Sequence, residues 1–218
     1  MPELEFAAKG AHPVEYAATP TLAIELEITA DAEPVENVIL QCQIRIEATR
    51  RTYSPAEKTN LNELFGTPER WGETLRSLLW MHTTAVVSGF EERTNVDLLL
   101  PCTFDQNVVV TKYFGGLESG EIPVILLFSG TVFYRDADGF LQTAPIGWDK
   151  EATFKLPVET WQAMIDHYYP NIAWLQIRKD VFDRLDRYRT GQACLNWEDA
   201  FDFLLRAESE KEAKWTTA

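Results

Sequence analysis

Three histidines and three cysteines are the residues of this 218-residue chain best suited to bind a metal or act as a nucleophile. None of them shows the Cys-x-x-Cys or His-Glu-x-x-His spacing of a zinc site. Cys102 with His82 would supply a nucleophile and a base, but the local sequence offers no geometry for such a pair. The sequence therefore predicts no metal ligand, no cofactor and no catalytic residue. The six residues are His12, His82, His167, Cys42, Cys102 and Cys194.

Phosphate-binding loops and serine nucleophiles have their own local signatures. Residues 115–120 are rich in glycine, but no Lys-Ser or Lys-Thr follows and a strand pattern comes next, so this segment is typical of a turn. Ser129 precedes a glycine inside a very apolar strand pattern and lacks the Gly-x-Ser-x-Gly elbow. An enzyme would have to assemble its site from residues distant in the sequence.

Residues 178–189 reverse the charge of an otherwise acidic chain, with Arg and Lys outnumbering Asp. On a helix, Asp180 with Arg184 and Asp183 with Arg187 would be i,i+4 pairs in the favourable order. The pattern fits a solvated, self-paired face. It also fits a basic stripe that docks a partner. For the docking interpretation, Arg184 and Arg187 are the predicted rim charges.

Large aromatic residues are concentrated in the second half of the chain. At helical spacing such residues are mainly core. Trp and Tyr are also enriched among interface hot spots, and exposed apolar patches mark contacts. The sequence therefore predicts an interface that uses some of these aromatic side chains. The predicted interface aromatics are Trp161, Tyr168, Tyr169 and Trp174.

The composition restricts the classes of partner. With 34 Asp and Glu against 20 Lys and Arg, the formal net charge is −14. Such a chain repels phosphate backbones and anionic membranes, so no nucleic-acid partner is predicted. The longest apolar run, residues 122–128, is shorter than the ~20 residues of a spanning helix. Without a signal-like N-terminus or a disulfide framework, the prediction is a cytoplasmic protein that is not inserted in a membrane.

Alternation of apolar and polar residues predicts strands through most of the first 156 residues. Residues 21–29 and 38–47 are the clearest cases, and their polar faces favour an antiparallel sheet. Ser54-Pro55 with Glu57 is a capping box, so residues 54–80 are predicted as two short helices inserted between strands. Residues 108–113 are assigned to a further strand.

Helical periodicity follows after residue 156. Pro157 is the predicted start of one helix and Asn171 the predicted cap of the next, which Gly191 ends. Asn196 is the predicted cap of a last helix. Strands come first and helices last. This order predicts an α+β fold, an antiparallel β-sheet or small β-sandwich with an inserted short helix pair and C-terminal helices.

The predicted organisation is one domain with two appendages. Residues 1–20 include Pro13 and Pro20 and show no periodicity, which indicates an irregular N-terminal arm. Residues 21–207 form the single α+β domain. Residues 208–218 are charged, which is typical of a frayed tail.

Several runs together resemble one protein family, a bacterial family common in actinobacteria and encoded beside the genes of uptake NiFe hydrogenases. The resemblance covers about residues 20–205 and brings no catalytic residues with it. It implies an accessory or assembly role with hydrogenase subunits as partners. The runs are LQCQIRIE (40–47), LFGTPERW (64–71), LW (79–80), VDL (96–98), PCT (101–103), residues 120–133 and WDK (148–150).

A second resemblance is to the export chaperone SecB, whose fold is an antiparallel sheet followed by helices. Tyr169-Pro170-Asn171-Ile172 is similar to a stretch at the start of the main SecB helix. The inserted helices at 54–80 and the extra length depart from the SecB pattern. This resemblance implies a chaperone that binds unfolded clients.

The sequence thus predicts a non-catalytic accessory, assembly or binding protein that acts by protein–protein recognition. A SecB-like chaperone and an enzyme with a site built from distant residues remain the alternatives. The client, the oligomeric state and any transient metal or ligand stay open, and a homo-oligomer is compatible with the pattern.

Overall fold

The chain divides into two compact units. We call residues 1–172 the sheet unit and residues 173–218 the helical unit. The computed structural model describes side chains as far as Ser209. The backbone is described over residues 2–31, 34–172, 175 and 177–216.

The sheet unit carries eight strands within its described residues. Two antiparallel sheets contain them, one in the order β1-β2-β5 and one in the order β4-β3-β6-β7, with β8 paired to the other half of the long strand β6. The strands are β1 (Leu4–Pro13), β2 (Thr21–Ala30), β3 (Val35–Ile46), β4 (Leu78–Phe90), β5 (Arg93–Pro101), β6 (Glu121–Arg135), β7 (Leu141–Pro145) and β8 (Glu151–Pro157).

Seven α-helices complete the described chain, and two 3-10 turns, Ala48–Arg50 and Pro68–Arg70, accompany them. The predicted α+β class, with an inserted short helix pair and C-terminal helices, is confirmed. The helices are α1 (Pro55–Asn60), α2 (Asn62–Phe65), α3 (Trp71–Thr74), α4 (Val108–Gly115), α5 (Val158–Tyr168), α6 (Lys179–Gly191) and α7 (Trp197–Thr216).

The two sheets share one hydrophobic core. Phe6 of β1 stacks on Phe128 of β6 with ring centroids 4.2 Å apart, which joins the three-stranded sheet to the other. Along β3, Leu40, Cys42 and Ile44 are buried while the alternate residues are more exposed. The alternation visible in the sequence is therefore the inside and outside of this sandwich.

The N-terminal segment is part of the sheet, so the predicted irregular arm over residues 1–20 is wrong. Strand β1 pairs with β2 from Leu4↔Ala30 to Pro13↔Leu22, with a bulge between Ala8 and Gly10. Because β1 is an edge strand, Pro13 at its end is tolerated even though it lacks an N–H. Pro13 and Pro20 lie on either side of the connection to β2 and do not prevent a strand.

The insertion after β3 is only partly as predicted. The capping box is present, since Ser54 Oγ accepts a hydrogen bond from Glu57 N at 3.1 Å and Glu57 Oε2 accepts one from Ser54 N at 2.9 Å. The second predicted helix is shorter than expected. Helix α3 ends at Thr74, and β4 begins at Leu78, which pairs with Ile46 of β3. The residues from Leu78 onward, whose spacing also fits a helix, therefore pair with the edge of the sheet.

The run of valines at 108–110 forms helix α4, so the predicted strand over residues 108–113 is wrong. Asn107 caps the helix, because its side-chain oxygen accepts a hydrogen bond from Val110 N at 3.0 Å. Val110, Tyr113 and Phe114 are buried on one face. That burial outweighs the strand propensity of the valines.

Gly130 of β6 lies where the chain approaches its neighbour closely. Its φ of 140° lies outside the range that other residues readily adopt. A Cβ at this position would collide with the carbonyl oxygen of Ile39 on β3. Glycine therefore allows the central pair of strands to stay in register.

The helical unit consists, in its described part, of α6 and α7. Helix α6 begins at Lys179 and not near Asn171 as predicted, and Gly191 is its last residue. Asn196 caps α7 as expected, since its side chain accepts a hydrogen bond from Asp199 N at 2.7 Å. The ring centroids of Trp197 and Phe182 are 5.3 Å apart, so the two helices pack against each other there.

The predicted domain boundaries differ from the structure. Compactness divides the chain after Ile172 and not at residues 20 and 207. The charged segment after residue 207 continues helix α7 as far as Thr216. No helix within the described residues has the length and apolar character needed to cross a membrane.

Candidate functional site

Trp161 belongs to the core, so its predicted role at an interface is wrong. Its exposed fraction is 7%, and its ring stacks on Phe114 at a centroid distance of 5.1 Å. The spacing that placed it on an apolar helical stripe was correct. The stripe of α5 faces the interior of the sheet unit, with Met164 also buried.

The two tyrosines at the end of α5 have local partners. Tyr168 Oη accepts a hydrogen bond from Ala17 N at 3.0 Å and lies 2.9 Å from the carbonyl oxygen of Val14, to which it donates. It therefore anchors the connection between β1 and β2. Tyr169 is half-buried, with its ring 5.3 Å from that of Phe104. Trp174 lies outside the described residues.

Arg184 and Arg187 are both exposed on α6. The predicted i,i+4 pairs are replaced by others, since Asp180 pairs with Arg178 at 2.8 Å and Asp183 pairs with Lys179. Arg187 donates from Nε to the backbone oxygen of Asp183 at 3.1 Å. Within the described part of the helical unit, Arg184 forms no ion pair. The two guanidinium groups are thus available to an external carboxylate.

Large apolar side chains are also exposed in the helical unit. Leu195 is 91% exposed and Phe203 is 52% exposed. A shallow cavity of about 350 Å³ follows α7 and is lined by Asp202, Leu205, Arg206 and Ser209. Exposed large apolar residues are common at contact surfaces. We call Leu175, Leu195, Phe203, Leu205, Arg184 and Arg187 the helical surface.

A different polar cluster lies inside the sheet unit. The side chains of Arg51 and Glu57 are 6% and 5% exposed, and Arg51 Nη2 donates to Glu57 Oε1 at 2.6 Å. Arg51 also donates to the carbonyl oxygens of Ser119 and Glu121, each at 2.6 Å. The guanidinium therefore joins the start of the helical insertion to the segment that precedes β6.

The electrostatics of this cluster keep Glu57 ionised. Burial by itself would raise the pKa of Glu57. Hydrogen bonds from the backbone N–H groups of Ser54 and Glu118, together with Arg51, outweigh burial and hold the pKa below its ordinary value. A buried carboxylate with this many donors is a structural anchor and a poor proton acceptor.

Two tyrosines extend the same cluster. Tyr53 Oη donates to the carbonyl oxygen of Ala48 at 2.7 Å. Since that hydroxyl has one proton, Tyr113 Oη is the donor in the 2.8 Å hydrogen bond between the two hydroxyl groups. Burial raises the pKa of Tyr113 and of Tyr53. Both phenols are thus held protonated and packed.

Sequence reasoning found one residue of this cluster, Glu57, which was identified through its capping box. Arg51 gave no signal, because the two carbonyl oxygens that it binds belong to residues 119 and 121, about 70 positions away. A buried arginine can be recognised only when the elements that supply its acceptors are placed in space.

Two of the histidines, His12 and His167, line one surface cavity of about 570 Å³. Burial raises the pKa of Cys102 to about 12 and that of Cys42 to about 12, which disfavours a thiolate. Within the described residues, no group of three or more His, Cys, Asp or Glu side chains could hold a metal ion.

Solved structures resemble this chain only distantly. One is a β-glucosidase from Kluyveromyces marxianus, with 11% identity and a TM-score of 0.25, over 70% of this chain and 15% of that chain. Another is β-glucosidase 3B from Thermotoga neapolitana in complex with α-D-glucose, with 13% identity and a TM-score of 0.25, over 71% and 17%. This chain thus spans less than a fifth of either enzyme.

Sequence comparison defines the relationship better than these structures do. No curated protein sequence matches this chain. One family model does match, over residues 1–213, and its description is "Family of unknown function (DUF6084)". The match includes β1, all of the sheet unit and most of α7. The chain therefore belongs to the DUF6084 family.

Proposed function

We propose that this protein is a non-catalytic accessory or assembly factor that acts by protein–protein recognition through the helical surface. The observation that carries the proposal is that the helical unit exposes large apolar side chains and also the guanidinium groups of Arg184 and Arg187. This helical hairpin leaves leucine and phenylalanine side chains in water. When a partner covers them, the free energy falls by about 25 cal/mol per Å² of apolar surface buried.

The chemistry of the surface describes its partner. Leu195, Phe203 and Leu205 provide exposed apolar contact area. Arg184 and Arg187 provide charges without an internal carboxylate as their main partner. Arginine at such a rim pairs with carboxylates in a bidentate manner. The partner we propose is a folded protein with an apolar patch bordered by Asp or Glu.

The family resemblance suggests which partner to test first. A subunit of a NiFe hydrogenase is the candidate, because the resembling family is encoded beside uptake hydrogenase genes. In this role the protein binds the subunit during assembly in the cytoplasm. Its net charge of −14 keeps such a pair soluble while the apolar surfaces are in contact.

The test uses the tagged full-length chain in its native host, followed by affinity measurements with purified hydrogenase subunits. We expect a stoichiometric complex in which Arg184→Glu combined with Arg187→Glu weakens binding at least about tenfold. Phe203→Ser combined with Leu205→Ser should have an equal or larger effect. Far-UV circular dichroism checks that each variant keeps its helices.

The matched control is Arg135→Glu, which changes an exposed arginine of β6 that pairs with Glu36 at 2.8 Å. This control should bind like the wild type. Equal weakening by Arg135→Glu would show that general charge and not the helical surface determines binding. A hydrogenase subunit that binds neither the wild type nor the variants would refute the hydrogenase assignment.

A SecB-like chaperone would use the same exposed apolar residues on unfolded clients. The chaperone and the accessory factor differ in how selectively they choose a protein partner. A chaperone binds a reduced, unfolded model protein such as α-lactalbumin at micromolar concentration and suppresses its aggregation, whereas the accessory factor leaves that aggregation unchanged. Suppression that depends on Phe203 and Leu205 would favour the chaperone over our proposal.

A further inference from the structure

The outer face of the five-stranded sheet is built from rows of side chains that cross β4, β3 and β6. Residues of β3 that point away from the core pair with outward residues of both neighbouring strands. The flanking rows are centred on Asn37 and Gln43. We call these four rows the neutral face. Its two central rows are Val86, Ile39 and Thr131 in one and Thr84, Gln41 and Ser129 in the other.

The neutral face contains no Asp, Glu, Lys or Arg, although these types make up 25% of the chain. It combines apolar side chains with uncharged polar ones. Val86 is 69% exposed and Ile39 is 40% exposed. Gln41, Thr84 and Ser129 are exposed beside them. The face is therefore open to contact and free of formal charge.

The outer face of the three-stranded sheet provides a comparison within the same sandwich. There Glu25 lies opposite Asp97, and Glu27 pairs with Lys9 at 2.8 Å and with Arg93 at 3.8 Å. Interspersed charges of this kind are typical of a face that stays in water. Both faces belong to one acidic chain, so composition does not account for the difference. Depletion of charged residues is instead characteristic of the centre of a protein interface.

The chemistry of the neutral face fits a second copy of this chain. The amide of Gln41 and the hydroxyl groups of Thr84 and Ser129 each donate and accept hydrogen bonds, so the same groups in a copy can complement them. A strongly charged partner would leave its own charges unpaired on this face. Two copies with a net charge of −14 repel each other, and this repulsion is weakest where both surfaces are uncharged.

The size of the neutral face is sufficient for a dimer. Four strands spaced about 4.8 Å apart, with about nine residues of about 3.4 Å each, give an area of about 500 Å². Two such faces together bury about 1,000 Å², which is the size that a specific interface must reach.

We propose that two copies of this protein form a homodimer in which their neutral faces pack against each other about a two-fold axis. Ile39 and Val86 supply the apolar contacts, and Gln41 with its neighbours supplies hydrogen bonds between the copies. All residues of the neutral face belong to the sheet unit. Dimerisation therefore does not use the helical surface and does not depend on the proposed function.

The first experiment measures the mass of the full-length protein by sedimentation velocity between about 1 and about 100 μM. We expect the wild type to sediment as a dimer of the 24.9 kDa chain. Ile39→Glu combined with Gln41→Glu places like charges opposite each other, so the dissociation constant should rise at least about tenfold. A wild type that stays monomeric at about 100 μM would overturn the proposal.

The matched control adds the same two charges to the other outer face. Asn95→Glu combined with Leu99→Glu changes exposed residues of β5 and should leave the dimer intact. Thermal unfolding followed by circular dichroism checks that both double variants keep the fold. Equal weakening by the two double variants would show that total charge and not the neutral face controls association.

The second experiment tests whether the face binds its own copy. Ile39→Lys combined with Gln41→Lys should be as monomeric as the glutamate variant, because like charges again meet. An equimolar mixture of the lysine and glutamate variants should restore a mixed dimer, since the charges are then opposite. A mixture that stays monomeric would refute contact between identical faces.

A last variant separates this dimer from the helical surface. Phe203→Ser combined with Leu205→Ser should keep the wild-type dimer while it loses the protein partner of the proposed function. Loss of the dimer in this variant would assign self-association to the helical unit and overturn the inference. Failure of the hydrogenase subunit to bind leaves the sedimentation result unchanged.

Discussion

Arg51 in the sheet unit and Arg184 in the helical unit carry the same side chain in opposite surroundings. Arg51 is buried and donates to one carboxylate and two backbone carbonyl oxygens. Arg184 is exposed and forms no ion pair within the described part of its own unit. Arg51 therefore donates its hydrogen bonds within the fold, whereas Arg184 remains available for recognition.

This difference extends to the apolar residues of the two units. In the sheet unit, strands β2 and β3 bury almost all of their large apolar side chains. In the helical unit, α6 has no buried residue. The sheet unit thus has a protein interior whose buried polar side-chain atoms are hydrogen-bonded, with Arg51 Nε as the exception among the described residues. The helical unit instead exposes its side chains, as one partner of a protein–protein interface does before binding.

The largest loss of stability should come from replacing Arg51, and the matched replacement of Arg184 is its control. Arg51→Met should lower the free energy of unfolding by about 3–5 kcal/mol, because Glu57 is left buried without its partner. Arg184→Met should change it by less than about 0.5 kcal/mol. Urea denaturation followed by tryptophan fluorescence measures both values. Similar losses in the two variants would contradict the comparison.

A double variant tests whether the ion pair with Glu57 causes the loss of stability in Arg51→Met. Arg51→Met with Glu57→Leu removes both charges together, so its loss should be smaller than the sum of the two single losses. If the losses are additive, the ion pair is not the reason for the effect of Arg51.

Glycine substitutions give the next largest effect. Gly130→Ala should destabilise the protein by at least about 2 kcal/mol, because its positive φ and the nearby Ile39 carbonyl exclude a Cβ. Gly191→Ala is the control, since nothing lies within 4 Å of an added Cβ at that helical position. We expect it to be neutral or to stabilise by up to about 1 kcal/mol. Thermal unfolding distinguishes the two, and a stable Gly130→Ala variant would be inconsistent with the close strand approach.

The smallest effect concerns pH. The pKa of Glu57 in the folded protein is below its ordinary value, so the unfolded chain binds the proton more readily. The stabilisation by Glu57 is present above about pH 4.5 and is lost as the pH falls through the lower folded value. In urea titrations between about pH 6 and pH 3, Glu57→Gln should therefore show a shallower decline than the wild type. An unchanged decline would show that Glu57 is not anchored.

Local patterns predicted the elements that are stabilised by local interactions. The alternation of residues 21–29 gave β2, and the Ser54–Glu57 capping box and the Asn196 cap are present as expected. The valine run at 108–110 was misassigned, because strand propensity is weaker than the burial of Tyr113 and Phe114. Leu78 and Leu79 were misassigned for the related reason that an open strand edge was available to them.

The site predictions divided in the same way. Arg184 and Arg187 were expected at the surface because the charge reversal of α6 is local, and both are exposed. Trp161 was expected at an interface, yet it stacks on Phe114 of α4, an element that does not adjoin α5 in the sequence. No window of sequence contains that information.

By itself, the sequence determined the α+β class, the acidic charge, most strands and the caps at Ser54 and Asn196. These properties depend on the period of side chains and on hydrogen bonds between near neighbours. Only the tertiary structure decided that β1 completes a sheet and that Arg51 and Glu57 meet in the interior. Each of these depends on strands that pair or pack across long sequence separations, where the packing of the whole core selects one arrangement.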